Sequence, residues 1–292
     1  MAQSLYQEKL IKHPHLFRWM ARLEGKAGHL KAGEYIINPD MTAQQILNKI
    51  ARGEYVSYAL TLPEGWTLGK IRVAIEVQPN LKQTLGVISN EDIADEFKSI
   101  HKNPEGLFFP ETYVFSWGVS DRDILKLAYQ KMESVLNQLW EGRAPGLPYH
   151  SSYEALIVAS LIENEAKREG EKPLIAAVIL QRLKIGMPLQ IDSTIIYAMG
   201  DKYQGKITKA DLAIKSPYNS YLYTGLPPTP ISSPGLASLK AALHPALSND
   251  LYFVAKGDGS HAFSTDLRSH NNAVKRYILQ KKQLINHSMF LF

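Results

Sequence analysis

Two glutamates, Glu163 and Glu165, lie near the end of the apolar stretch EALIVASLIENEAKR, residues 154–168. On a helical wheel at about 100° per residue, Glu165 shares a face with apolar side chains such as Val158, whereas Glu163 falls on roughly the opposite side with Ser160. The acid on the apolar face has two interpretations. Either the helix frays into solvent, because charged residues follow, or the carboxyl group is partly desolvated, which raises its pKa. A carboxyl group that stays protonated near neutral pH can act as a general acid.

Most other catalytic chemistries lack their residues in this chain. There is no cysteine, which excludes thiolate catalysis, disulfides and cysteine-ligated metals. There is no HExxH motif, so His261, His270 and Asp266 are weak ligand candidates, and we expect neither a metal nor a cofactor. The GxSxG turn of α/β-hydrolases and the GxxxxGK(S/T) phosphate loop are also absent. What remains is acid chemistry by a carboxyl group, which suits glycosidic bond cleavage, where an acid protonates the leaving oxygen.

The segment MPLQIDSTIIYAMG, residues 187–200, places four polar residues directly before an apolar helix. They are Gln190, Asp192, Ser193 and Thr194. Asp192 or Ser193 could cap this helix, because both residue types are strong N-caps. The alternative is that these side chains belong to a functional site.

A long loop follows over residues 216–235, with five prolines between Pro217 and Pro234 that alternate with tyrosines, serines and Asn219. A long loop fixed by prolines is uncommon unless it shapes a site. On that interpretation Tyr218 and Asn219 are candidate site residues. The other interpretation is that the loop is a rigid connector. A short helix that ends before Pro245 follows the loop.

The stretch EGLFFPETYVF, residues 105–115, gathers four aromatic side chains around Pro110 and Glu111. Such a mixture can line a groove for flat ligands such as sugar rings, which makes Glu111 and Tyr113 candidates. It is equally typical of a strand at the edge of a core.

Residues 251–274 predict a β-hairpin with its turn at Gly257–Gly259 and a final helix from about Ser269. His261 and Ser264 lie on the return strand. A lone histidine in such a place is more often structural than catalytic, so His261 is a weaker candidate.

The first part of the chain predicts a small helical unit. Residues 4–24 indicate a helix that Pro14 divides. Further on, GEYII, residues 33–37, predicts a short strand, and Thr42 is the expected N-cap of a helix that closes at Gly53. A strand, turn and helix of this size is a small module, either a packing unit or a ligand-binding one.

Composition bounds the class of protein. The chain has 292 residues, 45% of them hydrophobic and 21% charged, which indicates a globular protein of about two domains. The net charge of +5 favours anionic surroundings, but the basic residues are spread along the chain, so we expect no nucleic-acid partner. No window supplies the roughly 18 apolar residues of a membrane span, and the first residues do not form a signal peptide.

Five segments together resemble the endolytic murein transglycosylase family, the YceG-like proteins. They agree in collinear order over most of residues 29–280, which is far more specific than any single acid. Residues 29–53 are also similar to the LysM-like unit of that family. The five segments are EGLFFPETYVF, ASLIENEA, QRLKIGMPLQIDSTIIYAMG, SPYNSYLYTGLPPTPISSPG and YFVAKGDGSHAFSTDLRSHN.

The resemblance implies an α+β fold in two parts. Residues 1–63 would hold an N-terminal helix and a small LysM-like module, and residues 64–292 a larger mixed α/β catalytic domain with a helical core and short β-hairpins. Members are normally tethered to the inner membrane by one N-terminal helix and face the periplasm. This chain shows no such helix, so we expect it to be a soluble portion of an anchored protein that acts at the periplasmic face of that membrane.

The implied activity is that of a lytic transglycosylase. Such an enzyme cleaves the bond between N-acetylmuramic acid and N-acetylglucosamine within peptidoglycan strands without adding water. The muramyl 6-hydroxyl closes on its own C1 and leaves a 1,6-anhydro end. The expected partners are peptidoglycan glycan strands and, beside them, peptidoglycan synthases.

The resemblance also assigns residue roles. Glu165 takes the catalytic role, because it matches the place of the family acid and lies on the apolar side of the wheel, and Glu163 is the supporting candidate. Glu165 would give its proton to the glycosidic oxygen and then, as a carboxylate, take the proton of the muramyl 6-hydroxyl. The residues expected to bind substrate or stabilise its charge are, first, Gln190, Asp192, Ser193, Thr194, Tyr218 and Asn219, and second, Glu111, Tyr113, His261 and Ser264.

Two rival functions stay open. A hydrolytic muramidase would need a positioned water and usually a second carboxylate, which Asp192 or Glu111 could supply. A non-catalytic peptidoglycan-binding scaffold would use the LysM-like module and the aromatic stretch alone.

Overall fold

The computed structural model describes residues 1–86 and 89–279. These residues form two compact units. The first unit consists of Met1–Thr61, Ala74–Gly86 and Thr112–Ile124, and the second contains the remaining described residues. In chain order the helices and strands are α1 (Ala2–Gln7), α2 (Pro14–Leu23), α3 (Ala43–Arg52), β1 (Ser57–Thr61), α4 (Leu68–Glu76), α5 (Asn90–Glu96), β2 (Thr112–Ser116), α6 (Asp121–Glu141), α7 (Ser152–Glu165), α8 (Lys172–Lys184), α9 (Asp192–Met199), α10 (Leu236–Leu243), β3 (Tyr252–Ala255), β4 (His261–Ser264) and α11 (Leu267–Val274).

The first unit has a helical core formed by α1, α2 and α3. Phe17 and Leu47 are buried at its centre, with 3% and 0% of their surface exposed. The predicted division of the first helix at Pro14 is confirmed, because Pro14 is the first residue of α2. The predicted limits of α3 are confirmed as well. Thr42 caps it through a capping box, and Gly53 ends it in the left-handed conformation at φ 70°.

The strand predicted over residues 33–37 is wrong, because these residues form no strand in the structure. The backbone N–H of Val56 donates one 2.7 Å hydrogen bond to the Glu34 carbonyl, but no ladder follows. Tyr35 and Ile37 instead pack against the core of the first unit. An alternating pattern gives a strand only where a partner strand lies alongside. The LysM-like module remains a prediction.

The aromatic stretch of residues 105–115 supplies the strand that pairs with β1. Strand β2 runs antiparallel to β1, with Thr112 opposite Thr61 and Ser116 opposite Ser57. The three residues Leu107, Phe108 and Phe109 precede it and are 8%, 0% and 8% exposed. Of the two interpretations of this stretch, the structure supports the core edge.

The second unit is built around α7, which packs against α8 and α10. Residues 155–162 are buried on every side of α7, as expected of a helix at the centre of a core. The face that was predicted to be polar is covered too. Ser160 is 0% exposed, and its hydroxyl accepts a 3.1 Å hydrogen bond from the Ile231 N–H of the proline-rich loop.

The predicted hairpin is confirmed as β3 and β4. The strands are antiparallel, with Tyr252 opposite Ser264 and Ala255 opposite His261. Glycines at the turn take positive φ, which only glycine adopts without strain. The last helix begins at Leu267 rather than at Ser269, because Asp266 is its N-cap and accepts the Ser269 N–H. The chain is thus an α+β protein, as predicted.

Candidate active site

Glu165 is the last residue of α7, and its side chain is half-buried. Its Oε1 accepts a 2.8 Å hydrogen bond from the Ser193 hydroxyl. Burial raises the pKa of Glu165, and the negative charge of Asp192 acts in the same direction. Hydrogen bonds from Ser193 oppose the rise, as does the electrostatic effect of His261. Of the two interpretations of this helix end, the structure therefore supports a desolvated carboxyl group and not a helix that frays into solvent.

Asp192 and Ser193 form the first turn of α9, and neither caps it. The N-cap is Ile191, without any side-chain cap bond, so of the two interpretations of these residues the capping one is wrong. Both side chains have tertiary partners instead. Ser193 donates to Glu165, and Asp192 accepts a hydrogen bond from the Tyr221 hydroxyl, so the start of α9 lies against Glu165.

Gln190 and Thr194 flank this turn in different ways. Gln190 has an exposed side chain and a left-handed backbone at φ 50°, which is uncommon for a residue other than glycine. Its N–H donates to the Ser220 carbonyl at 2.9 Å. Thr194 is 0% exposed, and its hydroxyl donates to the Ile191 carbonyl at 2.6 Å, so it supports the turn and does not face the solvent.

Asn219 fixes the proline-rich loop from inside. It is 0% exposed, and its amide donates to the carbonyls of Leu212 and Ile214 at 3.0 and 2.8 Å. Its Oδ1 accepts the Tyr221 N–H at 2.9 Å. Because these bonds use the amide within the loop, Asn219 positions Tyr221 and is not available to a ligand.

Tyr218 belongs to the same loop. Its hydroxyl pairs with Thr229 at 2.9 Å, and its ring centroid is 4.8 Å from that of Tyr197. The ring also packs against the hydrophobic core of the second unit. These contacts give Tyr218 a role in fixing the loop.

Glu163 has a wholly different environment from that of Glu165. Its side chain is 8% exposed and forms an ion pair at 3.1 Å with Lys172, which is 5% exposed. Its Oε2 accepts the Ser238 hydroxyl at 2.6 Å and the Gly235 N–H at 3.0 Å. A carboxylate bonded in this way ties α7 to α8 and α10.

His261 begins β4 and is held by Glu171. The imidazole Nδ1 lies 2.7 Å from Glu171 Oε2, and the backbone N–H of His261 donates to Oε1 of the same carboxylate at 3.0 Å. Burial alone would raise the pKa of Glu171, but the hydrogen bonds from His261 outweigh it and the pKa is lowered. Glu171 therefore stays ionised near neutral pH.

The remaining candidates lie elsewhere in the fold. Glu111 is exposed and lies 3.6 Å from the Lys131 ammonium. Tyr113 is 7% exposed in β2 of the first unit. Ser264 stands at the far end of β4 from His261, opposite Tyr252.

The sequence matches one family over most of its length. A model of the YceG-like family matches residues 1–276. The chain belongs to the YceG-like family. It is similar to a Bacillus subtilis (strain 168) protein named endolytic murein transglycosylase, with 33% identity over 97% of this chain and 82% of that protein.

Other relatives extend the likeness. The protein of the same name from Streptococcus pneumoniae serotype 2 (strain D39) is 28% identical over 95% of this chain, which spans 56% of that longer protein. A crystal structure of a yceG-like protein from Listeria monocytogenes is 32% identical, with a TM-score of 0.64 over 93% of this chain and 94% of that one. The fold described above is therefore that of a YceG-like protein.

Three residues that lie at or near this candidate site were not identified from the sequence. Tyr221 and Ser220 lie in the SPYNSY segment that was considered as a whole, and their proximity to α9 gave no local signal. Nothing in the sequence links Glu171 to His261, which lies 90 residues further along the chain.

Two findings concern ligands and membranes. Within residues 1–86 and 89–279, no group of three or more His, Asp or Glu side chains could hold a metal ion. Over the same residues, no helix has both the length and the apolar character that crossing a membrane requires.

Proposed function

We propose that this chain is an endolytic lytic transglycosylase that cleaves the bond between N-acetylmuramic acid and N-acetylglucosamine within peptidoglycan strands and leaves 1,6-anhydro ends. One observation carries the proposal. In a chain whose relatives are named endolytic murein transglycosylases, Glu165 is a half-buried carboxyl group with a raised pKa and a hydroxyl bonded to it. A general acid for a glycosidic oxygen needs these properties.

The reaction needs one acid that becomes a base. Protonated Glu165 gives its proton to the glycosidic oxygen while the bond from that oxygen to C1 breaks, and N-acetylglucosamine leaves with a free hydroxyl. The Glu165 carboxylate then takes the proton of the muramyl 6-hydroxyl, whose oxygen bonds to C1. Glu165 ends the cycle protonated, so neither water nor a second nucleophile is consumed.

The neighbours of Glu165 fit this sequence of steps. Ser193 contacts Oε1, so we place the transferred proton on Oε2. Asp192, held by the Tyr221 hydroxyl, is a negative charge close enough to raise the pKa of Glu165, and it can stabilise the positive charge that develops at C1. The exposed Gln190 side chain is available to hydrogen-bond the sugar.

The test compares Glu165→Gln with wild type and with Glu154→Gln. Glu154 is a carboxylate at the other end of the same helix, where it accepts the His150 N–H. On purified glycan strands, we expect wild type and Glu154→Gln to release anhydromuramyl ends, and Glu165→Gln to lose at least about a thousandfold in rate. Release by Glu165→Gln at the parental rate, with the variant folded, would show that another group is the acid.

A hydrolytic muramidase is the second candidate, because Asp192 provides a second carboxylate beside Glu165. The reaction in oxygen-18 water separates the two. A hydrolase incorporates the label at the new reducing end, whereas the proposed enzyme yields unlabelled products that are lighter by one water. Binding of glycan strands without any cleavage would instead favour the scaffold function.

We also propose, from the family resemblance, that the enzyme works on the periplasmic face of the inner membrane beside peptidoglycan synthases. The LysM-like module within residues 1–63 would then hold the glycan strand. Removal of residues 1–53, which leaves β1 in place as the partner of β2, should raise KM for long strands and leave cleavage of short ones unchanged. An unchanged KM for long strands would contradict the glycan-binding role.

A further inference from the structure

Helix α9 is short, and its position depends on bonds to other parts of the second unit. It has eight residues, and a helix of this length is not stable by itself in water. In its first turn, the Thr194 hydroxyl pairs with the Ser220 hydroxyl at 2.8 Å. Because a helix that is held at one point can still pivot about that point, the direction of α9 needs a second contact further along.

Tyr197 supplies this second contact. Its hydroxyl donates a 3.1 Å hydrogen bond to Glu105 Oε2, and its ring centroid lies 4.8 Å from that of Tyr218. Tyr218 is itself fixed by the 2.9 Å bond between its hydroxyl and that of Thr229. The second turn of α9 is therefore held by a hydrogen bond and by a ring contact.

Glu105 is a rigid anchor for the Tyr197 hydroxyl. It is 4% exposed, and its other carboxyl oxygen, Oε1, accepts the Leu68 N–H at 2.9 Å. Its own backbone N–H donates to Asn103 Oδ1 at 3.1 Å. Because both carboxyl oxygens have partners and the side chain is enclosed, the group has little room to move. The reaction proposed above does not use it.

Tyr197 and Ser193 lie on the same face of α9. They are four residues apart, so they differ by roughly 40° around the helix and by about 6 Å along its axis. Ser193 donates to Glu165 Oε1 at 2.8 Å. A tilt of the helix at Tyr197 therefore changes the length and angle of the Ser193–Glu165 hydrogen bond, and such a bond weakens steeply as its angle departs from linear.

We propose that Tyr197 is a positioning residue, whose hydroxyl, anchored on Glu105, sets the direction of α9 so that Ser193 stays bonded to Glu165 during proton transfer. This inference rests on the proposed function of Glu165 as the acid. Tyr197 acts through Ser193 and not on the substrate itself. The hydroxyl, rather than the ring, carries this role, because the ring contact with Tyr218 remains when the hydroxyl is removed.

The loss of this hydroxyl has an effect of definite sign. Burial raises the pKa of Tyr197, so the hydroxyl is neutral near pH 7 and Tyr197→Phe removes no charge. Burial also raises the pKa of Glu165, and the Ser193 bond opposes this rise. A weaker Ser193 bond therefore raises the pKa of Glu165 further, lowers kcat and moves the basic limb to higher pH. Asp192 and His261, which also act electrostatically on Glu165, keep their identity in the variant.

A double-mutant cycle tests the path through Ser193. Release of anhydromuramyl ends is measured between about pH 5 and 9 for wild type, Tyr197→Phe, Ser193→Ala and the double variant. We expect Tyr197→Phe to lower kcat by about threefold to tenfold, with KM within about twofold and the basic limb at higher pH. In the Ser193→Ala background the same substitution should change kcat by less than about twofold, because the bond on which it acts is already absent.

Tyr149→Phe is the matched control. Tyr149 belongs to the same unit, and its hydroxyl donates to the Ala242 carbonyl at 2.9 Å, so the substitution removes one hydroxyl bond without altering a contact of α9. It should lower the urea midpoint by an amount similar to that of Tyr197→Phe and leave the pH–rate profile unchanged. An equal loss of kcat in the two variants would overturn the proposal, because lost stability would then explain both.

Three further results would contradict the positioning role. The first is a Tyr197→Phe profile that overlies the wild-type profile. The second is an equal effect of Tyr197→Phe with and without the Ser193 hydroxyl, which would indicate another path, such as one through Asp192. The third is a basic limb that moves to lower pH. Burial raises the pKa of Glu105 and the Tyr197 hydroxyl opposes that rise, so this third result would indicate that Glu105, more protonated in the variant, acts through its charge.

A second measurement does not depend on activity. Carbon-13 NMR of the glutamate carboxyl groups against pH, with the Glu165 signal identified by its loss in Glu165→Gln, should show a higher pKa of Glu165 in Tyr197→Phe than in wild type. Addition of Tyr197→Phe to Ser193→Ala should raise it no further. An unchanged pKa of Glu165 in Tyr197→Phe would overturn the proposal. A wild-type chain that releases no anhydromuramyl ends would refute the proposed function, whereas an active chain with unaltered Tyr197→Phe kinetics would refute the positioning role alone.

Discussion

The Ser193 hydroxyl lies 2.8 Å from Glu165 Oε1 and joins the first turn of α9 to the end of α7. A hydrogen bond of this kind stabilises a carboxylate more than a carboxylic acid, because the donor meets a full negative charge. It therefore lowers the pKa of Glu165 against the larger effect of burial. Ser193 has two effects on the acid, since it orients the carboxyl group and limits the rise of its pKa.

Ser193→Ala should make Glu165 a weaker acid. We expect the basic limb of the pH–rate profile to move to higher pH and kcat to fall by about tenfold, since one hydrogen bond to a charged group is lost. The measurement is anhydromuramyl release between pH 5 and 9. Ser248→Ala is the matched control, because Ser248 also donates to a carboxylate, that of Asp250, at 2.6 Å. A shift of the limb to lower pH would contradict the geometry.

Asp192→Asn should move the basic limb of the pH–rate profile to lower pH. The Asp192 charge raises the pKa of Glu165, so its neutralisation lets Glu165 ionise at lower pH, and activity is lost earlier as the pH rises. The amide still accepts from Tyr221, which keeps the loop in place. Anhydromuramyl release between pH 5 and 9 again checks this shift, and Ser193→Ala, whose basic limb should move to higher pH, serves as the comparison. The rate itself should also fall, because the positive charge at C1 loses a neighbouring negative charge. A basic limb that stays in place or moves to higher pH would contradict this effect of Asp192.

Local signals in the sequence predicted the structure correctly where a segment determines its own conformation. Thr42 and Gly53 bound α3 because capping uses neighbouring backbone groups. Pro14 begins α2 for the same reason. The helical period also placed Glu165 on the apolar side of α7, and burial there follows from the packing of that helix.

Long-range partners explain what the sequence could not predict. Asp192 and Ser193 are good capping residues, yet their side chains bond to Tyr221 and Glu165, which lie about thirty residues away in the chain. The strand predicted at residues 33–37 had the right alternation and no partner. In both cases the competing tertiary contact decides, and one sequence does not show which segments meet.

Lys172→Met should destabilise the protein. The substitution leaves Glu163 buried without its cation, and the loss of one partner of a buried ion pair costs about 3–5 kcal/mol. Urea unfolding should therefore show a lower midpoint with an unchanged m-value. Lys131→Met, which removes an exposed pair at 3.6 Å, should cost under about 1 kcal/mol. Equal midpoints for the two variants would show that the Glu163–Lys172 pair contributes nothing specific.

Because of Glu105, the free energy of unfolding should fall as the pH rises from mildly acidic to mildly basic values. This residue is 4% exposed, and burial raises its pKa to about 7 despite hydrogen bonds from the Leu68 N–H and the Tyr197 hydroxyl. Between its unfolded pKa of 4.5 and about 7, the folded state holds a proton that the unfolded state has lost. Its contribution to stability is therefore complete below pH 4.5 and is lost as the pH rises through 7, by about 3 kcal/mol.

Glu105→Gln isolates this contribution, because an amide keeps an acceptor for the Leu68 N–H and does not titrate. Unfolding free energies of wild type and Glu105→Gln, measured by urea at pH 5 and pH 8, give the difference in their pH dependence. Wild type should lose about 3 kcal/mol relative to the variant between these two values. Asp266→Asn, at the exposed N-cap of α11, serves as the control. Parallel pH dependence of wild type and Glu105→Gln would mean that Glu105 is ionised in the folded protein throughout this range.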